Sequence, residues 1–218
     1  MDLNLLQAGD IVLVSNNKPK GVRIIFDAAI KFFTKSPWTH GAVIIGNVVG
    51  VPAIFEADEE VITDSADDTI NNPDYDVAVY RYVGIRSHVA ITEEQNITVL
   101  GSLFRELAGK GYGYLQIIYY IRRWFWTRPF VSKYFGWVLD LVGKSGDPRN
   151  WNNWFVGGVL CTELVYKHLA AQGNIVGDST LLSWLGLWNS NNFSPADLQD
   201  TMNKFLEKYL LIYTNKKA

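Results

Sequence analysis

"HGAVIIGNVVGVPAIFEA", residues 40 to 57, reads as two strands folded back on one another. "HGAVIIG" and "VPAIFEA" are short apolar runs, and "NVV" lies between Gly46 and Gly50 as the turn. If the two glycines face each other across that three-residue loop, His40 pairs with Glu56. Directly opposed residues share a sheet face, with Cβ atoms roughly 4.5–5.5 Å apart. A carboxylate so placed accepts a hydrogen bond from one imidazole nitrogen and leaves the other nitrogen as a base. The plainer alternative is a satisfied edge histidine, with Glu56 marking a strand's solvent end. A one-residue slip, or a bulge near Pro52, would put the two on opposite faces.

Working outward, "GDIVLVS" (9–15) reads as a buried strand opened by a Gly-Asp turn. Residues 21–34 carry apolar residues at helical spacing and end before the Ser36-Pro37 breaker. A polar, acidic stretch (58–76) reads as a loop before a third strand, "DVAVYRYV". Thr92 to Gln95 reads as a capping box that opens a helix through about residue 108. "LCTELVYKHLAAQG" reads as a helix stopped by Gly173, and Ser194 with Pro195 as the cap and first turn of another element. Strands early and helices late predict an α+β chain with an antiparallel sheet.

The 218 residues suit a single domain, spanning 1–218, with room for a sizeable core. With 48% apolar and 19% charged residues the chain is globular. A net charge of −2 gives no basic footprint, which argues against nucleic acid as partner. Cys161 is the only cysteine, so no intramolecular disulfide can form. No secretory pattern opens the sequence and no apolar run reaches the roughly 18 residues of a membrane span, so the default expectation is cytoplasmic. The texture changes at 112–157, an aromatic-rich stretch read as an insertion. Tyr119, Tyr120, Trp124, Phe125 and Trp126 stand there beside Arg122, Arg123 and Arg128. Residues 112–144 suit core packing, a cover over a cleft, or peripheral contact with a membrane.

Cys161 lies where "WFVGGVL" gives way to a helix. A thiol at a helix start meets unpaired backbone N–H groups and the positive end of the dipole, which favour thiolate. The same N–H groups can stabilise an oxyanion. The alternative is a small buried hydrophobe. The other titratable residues suit the chemistry less well. His168 is two helical turns from Cys161, about 10.5 Å along the axis. His88 falls in a polar connection, and Glu163 projects to a different side of the helix from Cys161. No second cysteine and no His-x-x-x-His is present, so neither a zinc site nor another cofactor is expected.

"AGDIVLV", "WTHGAVIIG", "FEAD", "VAVYRY", "LCTELVYKHLAAQG" and "FSPADL", in that order, resemble the circularly permuted NlpC-type, papain-like cysteine hydrolases of the YiiX-like group. The resemblance covers roughly 9–83 and 158–198. In that group the histidine strand precedes the cysteine helix. The resemblance implies a barrel-like antiparallel sheet with a packed nucleophile helix, and a catalytic trio of Cys161, His40 and Glu56. It implies acyl transfer through a thioester, with a cell-wall peptide or related amide as substrate. A lipid amide or ester is the alternative substrate, acted on by a hydrolase or acyltransferase of the same permuted fold. Tyr114 and Trp38 are candidates to line the substrate pocket. A binding module with an inert Cys161 is the non-enzymatic alternative.

Overall fold

Ile11, Val12, Leu13 and Val14 form an unbroken apolar run, and a strand built from such a run must be covered on both faces. The computed structural model describes residues 1–21, 23–48, 51–57, 61–84, 91–110, 161–187 and 193–215. This strand, β1 (Ile11–Asn16), sits inside a six-stranded sheet. The strands that follow are β2 (His40–Val48), β3 (Val51–Ala57), β4 (Val61–Ser65), β5 (Tyr75–Tyr82) and β6 (Tyr209–Thr214). Their order is β4-β3-β2-β1-β5-β6, and every neighbouring pair is antiparallel.

The helices are α1 (Arg23–Thr34), α2 (Ala66–Ile70), α3 (Glu93–Leu107), α4 (Cys161–Val176), α5 (Ser179–Leu185) and α6 (Pro195–Lys204). On one sheet face Ile11, Leu13, Val43 and Phe55 pack with Leu100 and Leu107 of α3, Leu164, Val165 and Leu169 of α4, and Leu198 of α6. On the other face Val12, Val14, Ala42, Ile44, Ile54, Val77 and Val79 meet Ala66 and Ile70 of α2 and Leu6 near the N-terminus. The protein is therefore α+β with an antiparallel sheet. Among the described residues that sheet is open, with β4 and β6 at its edges, where a barrel-like closure was expected.

Local physics explains the element ends. Thr92 and Gln95 form the expected capping box at α3, and Ser194 with Asp197 forms another at α6, with Pro195 in its first turn. The stretch read as a loop at 58–76 contains β4 and α2, the latter capped by the Ser65 hydroxyl accepting from the Asp67 N–H. Gly173 does not stop α4, which runs on to Val176. A Cβ at 173 would lie 3.0 Å from Leu182 Cδ2, so glycine there favours close packing of α5. Gly177, with φ +67°, follows the true end. The aromatic stretch at 112–157, with Tyr114, lies outside the described residues, as does His88.

Two ion pairs, each with a buried carboxylate, brace this framework. Asp10, 1% exposed, accepts from Arg81 Nε and Nη2 at 2.7 Å each, and its Oδ2 also accepts from the Gln7 N–H. Asp178 receives Lys208 Nζ at 2.9 and 2.8 Å, tying the loop between α4 and α5 to the start of β6. Both are multidentate, as buried ion pairs must be to offset desolvation.

Candidate active site

The chain enters β2 through a set of polar contacts. Ser36 Oγ donates to Gln199 Oε1 of α6 at 3.1 Å and accepts from the Trp38 N–H at 3.1 Å, while the Thr39 N–H donates to the Val14 carbonyl at 2.9 Å. These contacts fix where His40, the first residue of β2, begins the ladder. Gly41 follows, and a Cβ there would lie 3.1 Å from Leu198, 3.4 Å from Val165 and 3.5 Å from Thr162. A bare backbone beside His40 thus allows α4 and α6 to approach the strand closely.

The register of the β2–β3 hairpin differs from the expected one. Val48 pairs with Val51, a tighter turn than a Gly46–Gly50 pairing, and this displaces the ladder by an odd number of residues. A bulge between Ile44 and Gly46 then restores the parity: Ile44 pairs with Ile54 and Val43 with Phe55. Continued toward the strand's start, this register sets Glu56 beside Ala42, so His40 and Glu56 are diagonal neighbours on one face, not directly opposed. Without the bulge Glu56 would fall opposite Val43 and face away from His40. Gly46, with φ +100°, supplies the backbone conformation of that bulge. The diagonal separation is within reach of two long side chains, and His40 Nε2 lies 2.8 Å from Glu56 Oε2.

Cys161 is the first residue of α4 and is 2% exposed. The side chain of His40 hydrogen-bonds both Glu56 and Cys161. With Nε2 on the carboxylate, Nδ1 is the nitrogen left for the thiol. Burial works against a charged imidazole here. The negative charge and hydrogen bond of Cys161, together with the hydrogen bond and charge of Glu56, outweigh it and hold His40 well above the ordinary histidine range. The His40 and Glu56 side chains remain 19% and 12% exposed, so the site meets solvent on their side.

The structure brings Cys161, His40 and Glu56 together. Trp38 is 4% exposed and packs in the same core cluster as Cys161. His168 is fully buried elsewhere in that layer, and burial pushes its pKa down to about 4, which keeps it neutral. Glu163 lies 3.7 Å from Lys167 one turn on, a local helix contact. Sequence reasoning did not find Ser36, Gly41 or Gly46 as determinants of the site. "SP" and Gly46 were read as punctuation and Gly41 as an ordinary strand residue, while their positioning effect depends on long-range contacts. Among the described residues no group of three or more His, Cys, Asp or Glu side chains is set to hold a metal. Compared with protein-family models, with curated proteins and with solved structures, the chain matches none.

Proposed function

We propose that this chain is a cysteine hydrolase that cleaves an amide bond through a Cys161–His40–Glu56 triad, in the circularly permuted papain-like arrangement of NlpC-type enzymes. One observation carries the reading: a single imidazole hydrogen-bonded to a carboxylate through Nε2 that also meets the only cysteine in the chain. The histidine strand preceding the cysteine helix, and a helix start at the sulfur, support it further.

In this mechanism the imidazolium favours the Cys161 thiolate, which attacks the carbonyl carbon of the amide. The C–S bond forms and the negative charge moves to the oxygen, near the backbone N–H groups at the start of α4. His40 Nδ1–H protonates the departing nitrogen as the C–N bond breaks, leaving a thioester and a free amine. Water then attacks the thioester. Nδ1 takes its proton, the carboxylic acid leaves, and the sulfur and imidazole return to their starting state. Glu56 keeps Nε2–H oriented throughout and favours the imidazolium.

The test is iodoacetamide alkylation across pH. Thiolate reactivity persisting well below the range of a free cysteine, about 8.5, and lost or shifted in His40→Ala, supports the enzyme. Ordinary thiol reactivity in both proteins returns the chain to an inert binding module. Muropeptides and mixed phospholipid or N-acyl substrates, with Cys161→Ser as the blank, then divide the peptide amide from the lipid alternative.

A further inference from the structure

The helix α1 turns the wrong face outward for a chain surrounded by water. Ile24, Ala28 and Phe32 follow one another at one-turn spacing with Ile25 beside them, and all four are exposed. Ile24 is 52%, Ile25 69% and Phe32 63% exposed. Ile30, the only buried side chain among those of α1 that are described, lies about half a helical turn away. The usual order is the reverse, with the apolar stripe on the core and polar residues outside. Contiguous exposed apolar surface of this kind marks a docking face.

Charge identifies what docks. Residues 18–35 carry five basic side chains and one acid, in a chain whose net charge is −2; Lys18 is paired with Asp74, so its charge is not part of the docking face. Lys20 and Lys35 are exposed and flank the helix at its two ends, and the partly buried Lys31 lies along one edge of the apolar stripe. A second copy docked by two-fold symmetry would bring this cationic surface against itself, which like charges oppose. A negatively charged partner with an apolar interior meets both features. At 12 residues α1 is far shorter than a span of about 20 residues, and no described helix is long and apolar enough to cross a membrane.

We propose that α1 is an interfacial helix that docks the protein on an anionic lipid surface, with Ile24, Ile25 and Phe32 at the acyl boundary and the flanking lysines at the headgroups. This stands apart from the catalytic reading, since Cys161→Ser is expected to dock as the wild type does.

The test is co-sedimentation with vesicles of phosphatidylcholine and phosphatidylserine at 7:3, against pure phosphatidylcholine, at 0.1 and 0.5 M NaCl. The wild type should partition to the anionic vesicles and lose most of that binding in high salt or on the neutral ones. Lys20→Gln with Lys35→Gln should weaken it about 25-fold, near fivefold for each lysine. Ile24→Gln with Ile25→Gln should weaken it about tenfold or more. All four positions are exposed, so circular dichroism should be unchanged in both variants. The proposal is overturned if the wild type does not sediment with the anionic vesicles, or if the isoleucine variant binds them as well as the wild type. A lipid-free dimer that the isoleucine variant abolishes would overturn it too, by assigning the face to a second copy.

Discussion

Replacing Glu56 isolates the contact on which the proposed chemistry depends. The carboxylate oxygen is 2.8 Å from His40 Nε2, and the two side chains are only 12% and 19% exposed. The pair therefore escapes most of the solvent screening that makes surface pairs weak. A hydrogen bond to a charged group in such a setting contributes about 1.5–3 kcal/mol. At 1.36 kcal/mol per factor of ten, losing it makes the Cys161–His40 ion pair about 10- to 100-fold less favourable against the neutral thiol and imidazole. Glu56→Ala should show the full effect. Glu56→Gln, which can still accept from Nε2–H but carries no charge, should show a smaller one. The chain has three histidines, so each imidazole Cε1–H resonance can be assigned with His40→Ala, His88→Ala and His168→Ala and followed against pH by NMR. In the wild type His40 should titrate well above an ordinary histidine. In Glu56→Ala its midpoint moves toward acid, and alkylation of Cys161 at neutral pH slows with it. An unmoved midpoint, or a wild-type His40 that titrates like a free imidazole, would refute the reasoning.

Gly46→Ala puts a side chain at φ +100° in the bulge and should cost about 1–3 kcal/mol in urea unfolding. If the bulge irons out, Glu56 turns away from His40 and the His40 midpoint falls as it does in Glu56→Ala. Lys208→Met leaves the Asp178 carboxylate buried without its partner and should cost about 3–5 kcal/mol, while Lys208→Met with Asp178→Asn should recover much of it. His168 gives a pH effect of opposite sign to that of His40. Its folded pKa is about 4, below the ordinary 6.5, so the unfolded chain binds the extra proton between those values and stability falls as pH drops through that window. The loss is at most about 3 kcal/mol by pH 4, and His168→Phe should flatten that part of the urea-midpoint profile relative to wild type. His40, raised in the fold, stabilises the protein below the ordinary histidine pKa. That contribution is lost as pH rises through its folded value, a slope that His40→Ala should remove.

What the sequence made legible was whatever is written in short-range pattern. The caps at Thr92 and Ser194 are local hydrogen-bond geometry, and both are present. The apolar runs of β1, β2, β3 and β5 carry their own signal. β4, "VITDS", is five residues of mixed polarity at a sheet edge, and its strand character comes from its ladder with β3. β6 pairs with a strand far earlier in the chain, Ala78 opposite Thr214, and no local pattern announces that. Gly173 illustrates the opposite error. Its residue type signals a stop, but in a helix interior packed on Leu182 its missing side chain is what matters. For the site, residue types and chain order pointed to Cys161, His40 and Glu56. The register joining the last two was not readable, because a tight turn and a one-residue bulge offset each other in parity.

The position of His40 follows from the same sheet geometry. Ala42 and Ile44, which share its parity, are fully buried in the cluster on the face away from α4, whereas Cys161 belongs to the cluster on the α4 face. A histidine at position 42 would be enclosed by that second cluster and separated from the sulfur by the sheet itself. At the first residue of β2 that strand ends, and one imidazole can touch a carboxylate of its own face and a thiol at the start of a helix packed on the other. Gly41 removes the side chain that would hold the helix off at this point, and Ser36, bonded to Gln199 of α6, fixes the chain just before it. The triad geometry is thus a property of a strand end, and a substitution that moves that end by one residue removes it without touching any of the three side chains.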